Sequence, residues 1–150
     1  MDKILAESVA NKIEEESKEL EKLKGMFGNS YIWTEPAVIT NSPVPTGKIG
    51  VYKIMHQDYG VMYIGQGIIS NRKGRHISVF RNNGQDVVSP NGHVSPSQAG
   101  KKMYAFDDNL NHWLFSYVIL DNKKVSTEYE SLLTEIEEPE FNNLSMSGKS

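Results

Sequence analysis

The chain has 150 residues, 38% of them hydrophobic and 23% charged, an ordinary composition for one globular domain with appendages. No apolar run approaches the ~20 residues of a membrane-spanning helix, the charged N-terminus is unlike a secretory leader, and zero cysteines exclude disulfides and thiolate metal sites. The four histidines, at 56, 76, 93 and 112, show no zinc-type spacing, so a cytoplasmic protein without structural zinc or membrane contacts is expected.

The formal net charge is −3, unevenly placed: residues 48–125 carry ten Lys or Arg against five Asp, and residues 126–150 carry six Glu against one Lys. A local basic surplus suits phosphate contacts and equally describes a solvated mixed-charge surface. In residues 1–25, Leu5, Val9, Ile13, Leu20 and Leu23 recur at helical intervals and predict an amphipathic helix. Its stripe either packs on the domain's own surface or joins a partner, such as a second copy in a homodimer. Residues 26–47, with Pro36, Pro43 and Pro45, read as a connector with at most a short extended piece around 31–33, where Trp33 is either a plug into the core, the commoner case, or a base-stacking platform.

Two alternating runs, 49–56 and 61–66, flank Gln57-Asp58-Tyr59-Gly60 and read as a β-hairpin. Either a two- or a four-residue turn gives an odd register sum, which places Tyr52 and Tyr63 on one face. Residues 70–81 predict a helix opened by Ser70 or Asn71, on which Arg72 and His76, four apart, share a side. Residues 82–97, with Asn-Asn-Gly, Asn-Gly and two Ser-Pro pairs, predict a long loop. A helix over 98–108 with Met103 and Phe106 buried and Lys101 and Lys102 exposed, a strand over 113–120 and a helix over 125–137 ended by Pro139 follow. The last helix has Val125, Tyr129, Leu132, Leu133 and Ile136 on one stripe, with Glu128 and Glu130 at its opposite edges. Residues 144–150 read as a flexible tail.

Gly50-Val51-Tyr52, Tyr63-Ile64-Gly65, Arg72-x-x-x-His76, Glu130 and Pro139-x-Phe141-Asn142, in that order over residues 48–143, resemble the GIY-YIG nuclease family, with Val51 where the family name has Ile. The ending looks especially like the N-terminal nuclease domain of the bacterial excision-repair incision protein. The resemblance implies an α+β fold, β-β-α-α-β-α, in which a small three-stranded antiparallel sheet is flanked by helices, here with an added N-terminal helix. It also implies a metal-dependent endonuclease acting on double-stranded DNA. By the same resemblance Glu130, chosen over Glu128 by its distance from Pro139, would bind one Mg²⁺ or Mn²⁺ ion, and Arg72 would hold the scissile phosphate. Tyr52 would be the general base or position the water, Tyr63 and His76 would stand beside the phosphate, and Asn142 would support the site.

A free tyrosine titrates near ~10, so the base role requires a cation close by. Lys53 is not that cation, because strand alternation points it to the other face. Arg72, Lys73, Arg75, Arg81, Lys101 and Lys102 are the expected DNA-facing residues. The alternative is a catalytically silent module of the same fold that binds nucleic acid or protein. Each residue also has a plain reading, since tyrosines pair across hairpins as packing and lone basic residues on helices are usually solvated.

Overall fold

The computed structural model describes residues 32–120 and 122–142. The leading helix over 1–25 and the tail over 144–150 lie outside the described residues. The elements are β1 (Ala37–Val38), β2 (Ile49–His56), β3 (Gly60–Ile68), α1 (Ile69–Arg81), β4 (Val87–Val88), β5 (Val94–Ser95), α2 (Gln98–Phe106), β6 (Trp113–Ile119) and α3 (Lys123–Glu137). The domain is α+β, and its main sheet is antiparallel throughout with the order β1-β6-β2-β3.

The sheet therefore has four strands rather than three. The fourth comes from the stretch read as a connector. Ala37 and Val38 pair with Phe115 and Leu114, and Thr34 binds Tyr117 through its backbone N–H at 2.9 Å and its hydroxyl at 3.0 Å. These contacts satisfy the β6 backbone that would otherwise form an open sheet edge. A two-residue strand has no room for an alternating pattern, so periodicity could not reveal it. Trp33 plugs the core as expected, its indole donating to the Tyr129 hydroxyl at 3.1 Å.

The β2–β3 hairpin reaches the expected register by another route. Its turn has three residues, 57–59, because His56 opposes Gly60, and that would give an even sum. A bulge between Ile54 and Met55 leaves Met62 without an opposite residue and restores the odd register beyond it, where Tyr52 opposes Gly65 and Ile54 opposes Tyr63. Both tyrosines consequently face α1. That helix starts directly from the strand, with Ile68 at the cap position and no side-chain cap, and Ile69 N–H donates to Lys48 C=O at 3.0 Å. Ser70 and Asn71 thus lie within the first turn.

The segment 82–97 is not wholly loop. Val87–Val88 and Val94–Ser95 form a two-stranded ribbon, too short to be separated from its turn residues by pattern. Helix α2 ends at Phe106, which is 42% exposed rather than buried. It closes the end of the helix with one side in water and its ring edge-on to His56, Trp113 and Phe141.

One face of the sheet packs Tyr52, Ile54, Phe115 and Tyr117 with Ile69 and Ile77 of α1 and Met103 of α2. The other packs Val51, Ile64 and Val118 with Val125, Tyr129 and Leu133 of α3. The expected stripe of α3 forms, with Leu132 and Ile136 half-buried at its border. No helix among the described residues is long and apolar enough to cross a membrane.

Candidate active site

The motif glycines make way for side chains. A Cβ at Gly65 would lie 2.4 Å from Tyr52 Cζ and Oη, so the Tyr52 phenol occupies the space a side chain would fill. At Gly67, with φ +137°, a Cβ would meet Arg72 Nε at 2.7 Å. Gly50 lets the Val118 carbonyl approach its backbone. Tyr52 and Arg72 are thus seated by two glycines of β3.

Tyr52 is buried, stacked on Phe115 with ring centroids 5.3 Å apart, and its hydroxyl lies 2.9 Å from His76 Nε2. Tyr63 completes a three-ring group, 6.2 Å from Tyr52 and 6.1 Å from His76 by centroids. Burial pushes the Tyr52 phenol well above its usual range; Tyr63 and Glu130 add to this, and Arg72 and Arg75 oppose it. Tyr63 is raised by burial and by Glu130, and lowered by Arg72 and by the nearby Tyr52 hydroxyl. His76 is pulled down to about 3 by burial and by Arg72 and Arg75, so its imidazole is neutral.

Glu130 lies on α3, across the sheet from these rings, yet it acts on both phenols. Among the described strands β3 is the border strand, and the Glu130 charge raises both phenols from the far face. Glu130 is half-buried while Glu128 is exposed, which separates the two glutamates that the helical stripe left equivalent. Burial raises Glu130 and Arg72 opposes the rise. Among the described residues its carboxylate accepts no hydrogen bond and forms no ion pair.

The closing motif acts on the sheet. Helix α3 ends with Glu138 in the left-handed region at φ 47°, Pro139 is buried, and Phe141 plugs the core against Trp113. Asn142 then clamps the free edge of β3. Its Nδ2 donates to Ile64 C=O and its Oδ1 accepts from Ile64 N–H, both at 2.9 Å. Asn142 therefore holds the strand between Tyr63 and Gly65 rather than entering the group itself.

Of the six basic residues, Arg72 lines a cleft of about 300 Å³ with Gln66, Gly67 and Lys123, Arg75 lines a second with Asn71 and Val87, and Arg81 is exposed. The three lysines make contacts within the protein: Lys73 with Ser42 C=O, Lys101 with Asp86 at 2.9 Å and Lys102 with Phe141 C=O at 3.3 Å. Lys53 points away from the tyrosines as expected, pairing with Glu137 at 3.0 Å and lying 4.8 Å over the Trp33 ring.

Two features escaped the sequence. Ser97, in the segment read as a loop, has its hydroxyl 2.7 Å from His76 Nδ1. His56 and His112, 56 residues apart, both meet Asp107 Oδ2 at 2.7 Å. That trio has the donor set of a cation site. Ligands around zinc, bound at ~2.0–2.1 Å, stand about 3.3 Å apart, however, and 2.7 Å is a hydrogen-bond distance.

In comparisons with known proteins, no family model, no curated protein and no solved structure matches the chain.

Proposed function

We propose that this chain is a divalent-metal-dependent endonuclease that hydrolyses phosphodiester bonds of double-stranded DNA. The observation that carries the reading is a group of two phenols and a neutral imidazole that feel the charges of a guanidinium and of a half-buried carboxylate, which has no hydrogen bond or ion pair among the described residues. A half-buried carboxylate without a partner is costly, and a hard cation offsets that cost. Glu130 therefore fits one Mg²⁺ or Mn²⁺ ion, which would supply Lewis-acid neutralisation of phosphoryl charge.

The residues of the chain do the rest. Arg72 offers a planar fork to two phosphate oxygens in the cleft it lines. Tyr52, once its own proton has left outward to solvent, accepts the proton of the attacking water as a phenolate. Its raised phenol makes this hard without help, and the help comes from cationic charge nearby, of which Arg72 and Arg75 are already part. Tyr63 stands at the outer side of Tyr52 to hydrogen-bond a phosphate oxygen. Asn142 keeps Tyr63 in place through the Ile64 backbone.

The test is incubation of the protein with supercoiled plasmid in Mg²⁺ and in chelator, alongside Glu130→Gln, Glu128→Gln and Arg72→Ala. The parent should nick or linearise DNA only with metal. Glu130→Gln should lose roughly 10²-fold or more of the rate while still binding DNA, and Arg72→Ala should lose cleavage and binding together. Glu128→Gln should cut like the parent. Binding should weaken with salt by about 0.9 log units per log unit for each phosphate contact. Retardation of DNA without cleavage under any metal would replace this reading by the silent binding module.

A further inference from the structure

Ser97 has two tasks at one oxygen. As the residue before the first turn of α2, its Oγ accepts from Gly100 N–H at 2.9 Å, and the same Oγ is 2.7 Å from His76 Nδ1. A Cβ at Gly100 would lie 2.6 Å from that oxygen, so the absence of a side chain there lets the contact form. Ser97 is buried, at 4% exposure, and makes no other side-chain hydrogen bond among the described residues.

A hydroxyl has one proton to give and two lone pairs to receive. One lone pair is spent on Gly100. If His76 Nδ1 carried a proton and donated it, the second would be spent too, and the serine proton would be buried with nothing to accept it. With the serine donating to Nδ1 instead, every buried proton has an acceptor, and only a lone pair is left over. The neutral ring then carries its proton on Nε2 and donates it to Tyr52 Oη at 2.9 Å. Tyr52 in turn points its own proton outward, to the side where Tyr63 stands with ring centroids 6.2 Å apart.

We infer that Ser97 is a positioning residue for the proposed cleavage: by capping α2 and donating to Nδ1 it fixes His76 as the Nε2–H tautomer, so that His76 stabilises negative charge on the Tyr52 oxygen and the chain of donors runs one way, toward the cleft. The role in cleavage rests on the nuclease reading; the proton arrangement stands on the hydrogen bonds alone. Asp86 extends the device, because its Oδ1 accepts from Ser97 N–H at 3.0 Å and its Oδ2 from Lys101 at 2.9 Å, which ties Ser97 to the base of the β4–β5 ribbon.

The experiment reads the tautomer by ¹⁵N NMR of the full chain with histidine alone labelled, and cleavage in parallel. In the parent His76 should show a protonated Nε2 and a bare Nδ1. Ser97→Thr keeps cap and donor and should match the parent. Ser97→Asp keeps a cap acceptor but has no proton to give, so His76 should shift to the Nδ1–H or doubly protonated form, with kcat falling roughly 10- to 100-fold and KM little changed. A parent with Nδ1–H, or a Ser97→Asp protein with the parent's tautomer and kcat, overturns the proposal. If the parent cuts no DNA, the nuclease reading fails while the tautomer measurement still decides the proton arrangement.

Discussion

His56 and His76 are both buried, one at each end of the face that packs α1 and α2, and their neighbours differ in kind. His56 Nδ1 accepts from Asp58 N–H at 3.1 Å, so its Nε2–H donates to Asp107, which His112 serves from the other side. The carboxylate is held below the usual range by the His56 hydrogen bond first, then by Asn109 N–H and His112. Every proton in that group has an ionic or backbone partner, and Phe106 and Trp113 edge-on and a tilted Tyr59 pack around the His56 ring. Among the described residues His76 has no carboxylate partner. It lies between a serine and a phenol with two guanidinium groups near it, held neutral and joined through Tyr52 to an open border of the sheet. Closed accounting around an anion builds a fixed joint, and a neutral relay beside cations leaves charge for an incoming anion to balance.

The largest effects should come from removing each ring. His76→Ala should lower cleavage by roughly 10²- to 10⁴-fold, the range expected for losing a group that shares a proton with the reacting oxygen. His56→Ala should instead cost roughly 3 kcal/mol of unfolding free energy through the cavity and the donor lost to Asp107, with the rate per folded molecule unchanged. Urea unfolding and plasmid cleavage on the same two variants measure both. A His56 variant that unfolds like the parent and cuts poorly would reverse the comparison.

pH separates the two groups next. Below about 6.5 the unfolded chain binds a proton at residue 76 that the folded chain refuses until about pH 3. Stability should therefore fall as pH drops across that window, by up to about 1.4 kcal/mol per unit. His76→Gln should flatten that slope. Asp107 is a depressed carboxylate, so its contribution is present above the usual value of 3.8 and lost only as pH falls further. Asp107→Asn should leave the slope between pH 4 and 6.5 as it was, and denaturation followed against pH on the three proteins tests this.

Much of the site was legible because its determinants are local. Alternation along β2 and β3 put both tyrosines on one face, and a spacing of four put Arg72 and His76 on one side of α1. The register came out right although the turn did not, since a bulge is decided by cross-strand packing that spacing does not encode. Glu130 needed its distance from Pro139, because the helical stripe alone left two glutamates equivalent. Ser97 and the His56–Asp107–His112 group left no trace in the sequence. Both depend on α2 and its flanks folding back onto residues far away in the chain, and serine before a helix reads as an ordinary cap. Nor did the lysines announce themselves: chain position placed Lys73, Lys101 and Lys102 with the other basic residues, and tertiary contacts gave each a partner inside the protein.

A smaller effect should follow from the clamp that fixes Tyr63 on its strand. Asn142→Ala would leave Ile64 N–H and C=O without their partner at the sheet border, at a cost of about 1–3 kcal/mol. Because Asn142 touches backbone only, cleavage should weaken through misplacement of Tyr63, and hydrogen exchange at the Ile64 amide should accelerate while the amides of β6 stay protected. Unchanged exchange at Ile64 would remove Asn142 from its positioning role.

The smallest effect sharpens the comparison most, because each histidine group has a helix cap beside it. Ser97 caps α2 and bonds His76, while Asn109 caps the 3₁₀ turn Leu110–His112, its Oδ1 accepting from Asn111 N–H at 3.0 Å and its Nδ2 lying 3.3 Å from His112 Nε2. Removing a capping side chain costs about 1 kcal/mol wherever it stands, so Ser97→Ala and Asn109→Ala should move the unfolding midpoint by similar amounts. Their effects on cleavage should diverge. Asn109 serves a ring whose other nitrogen is already committed to Asp107, so its loss should leave the rate unchanged. Ser97 serves a ring that has only a phenol on its far side, and its loss frees the imidazole to take either tautomer. Equal stability losses with unequal rates would show that the difference lies in the proton arrangement; equal rates would show that Ser97 and Asn109 are both caps and nothing more.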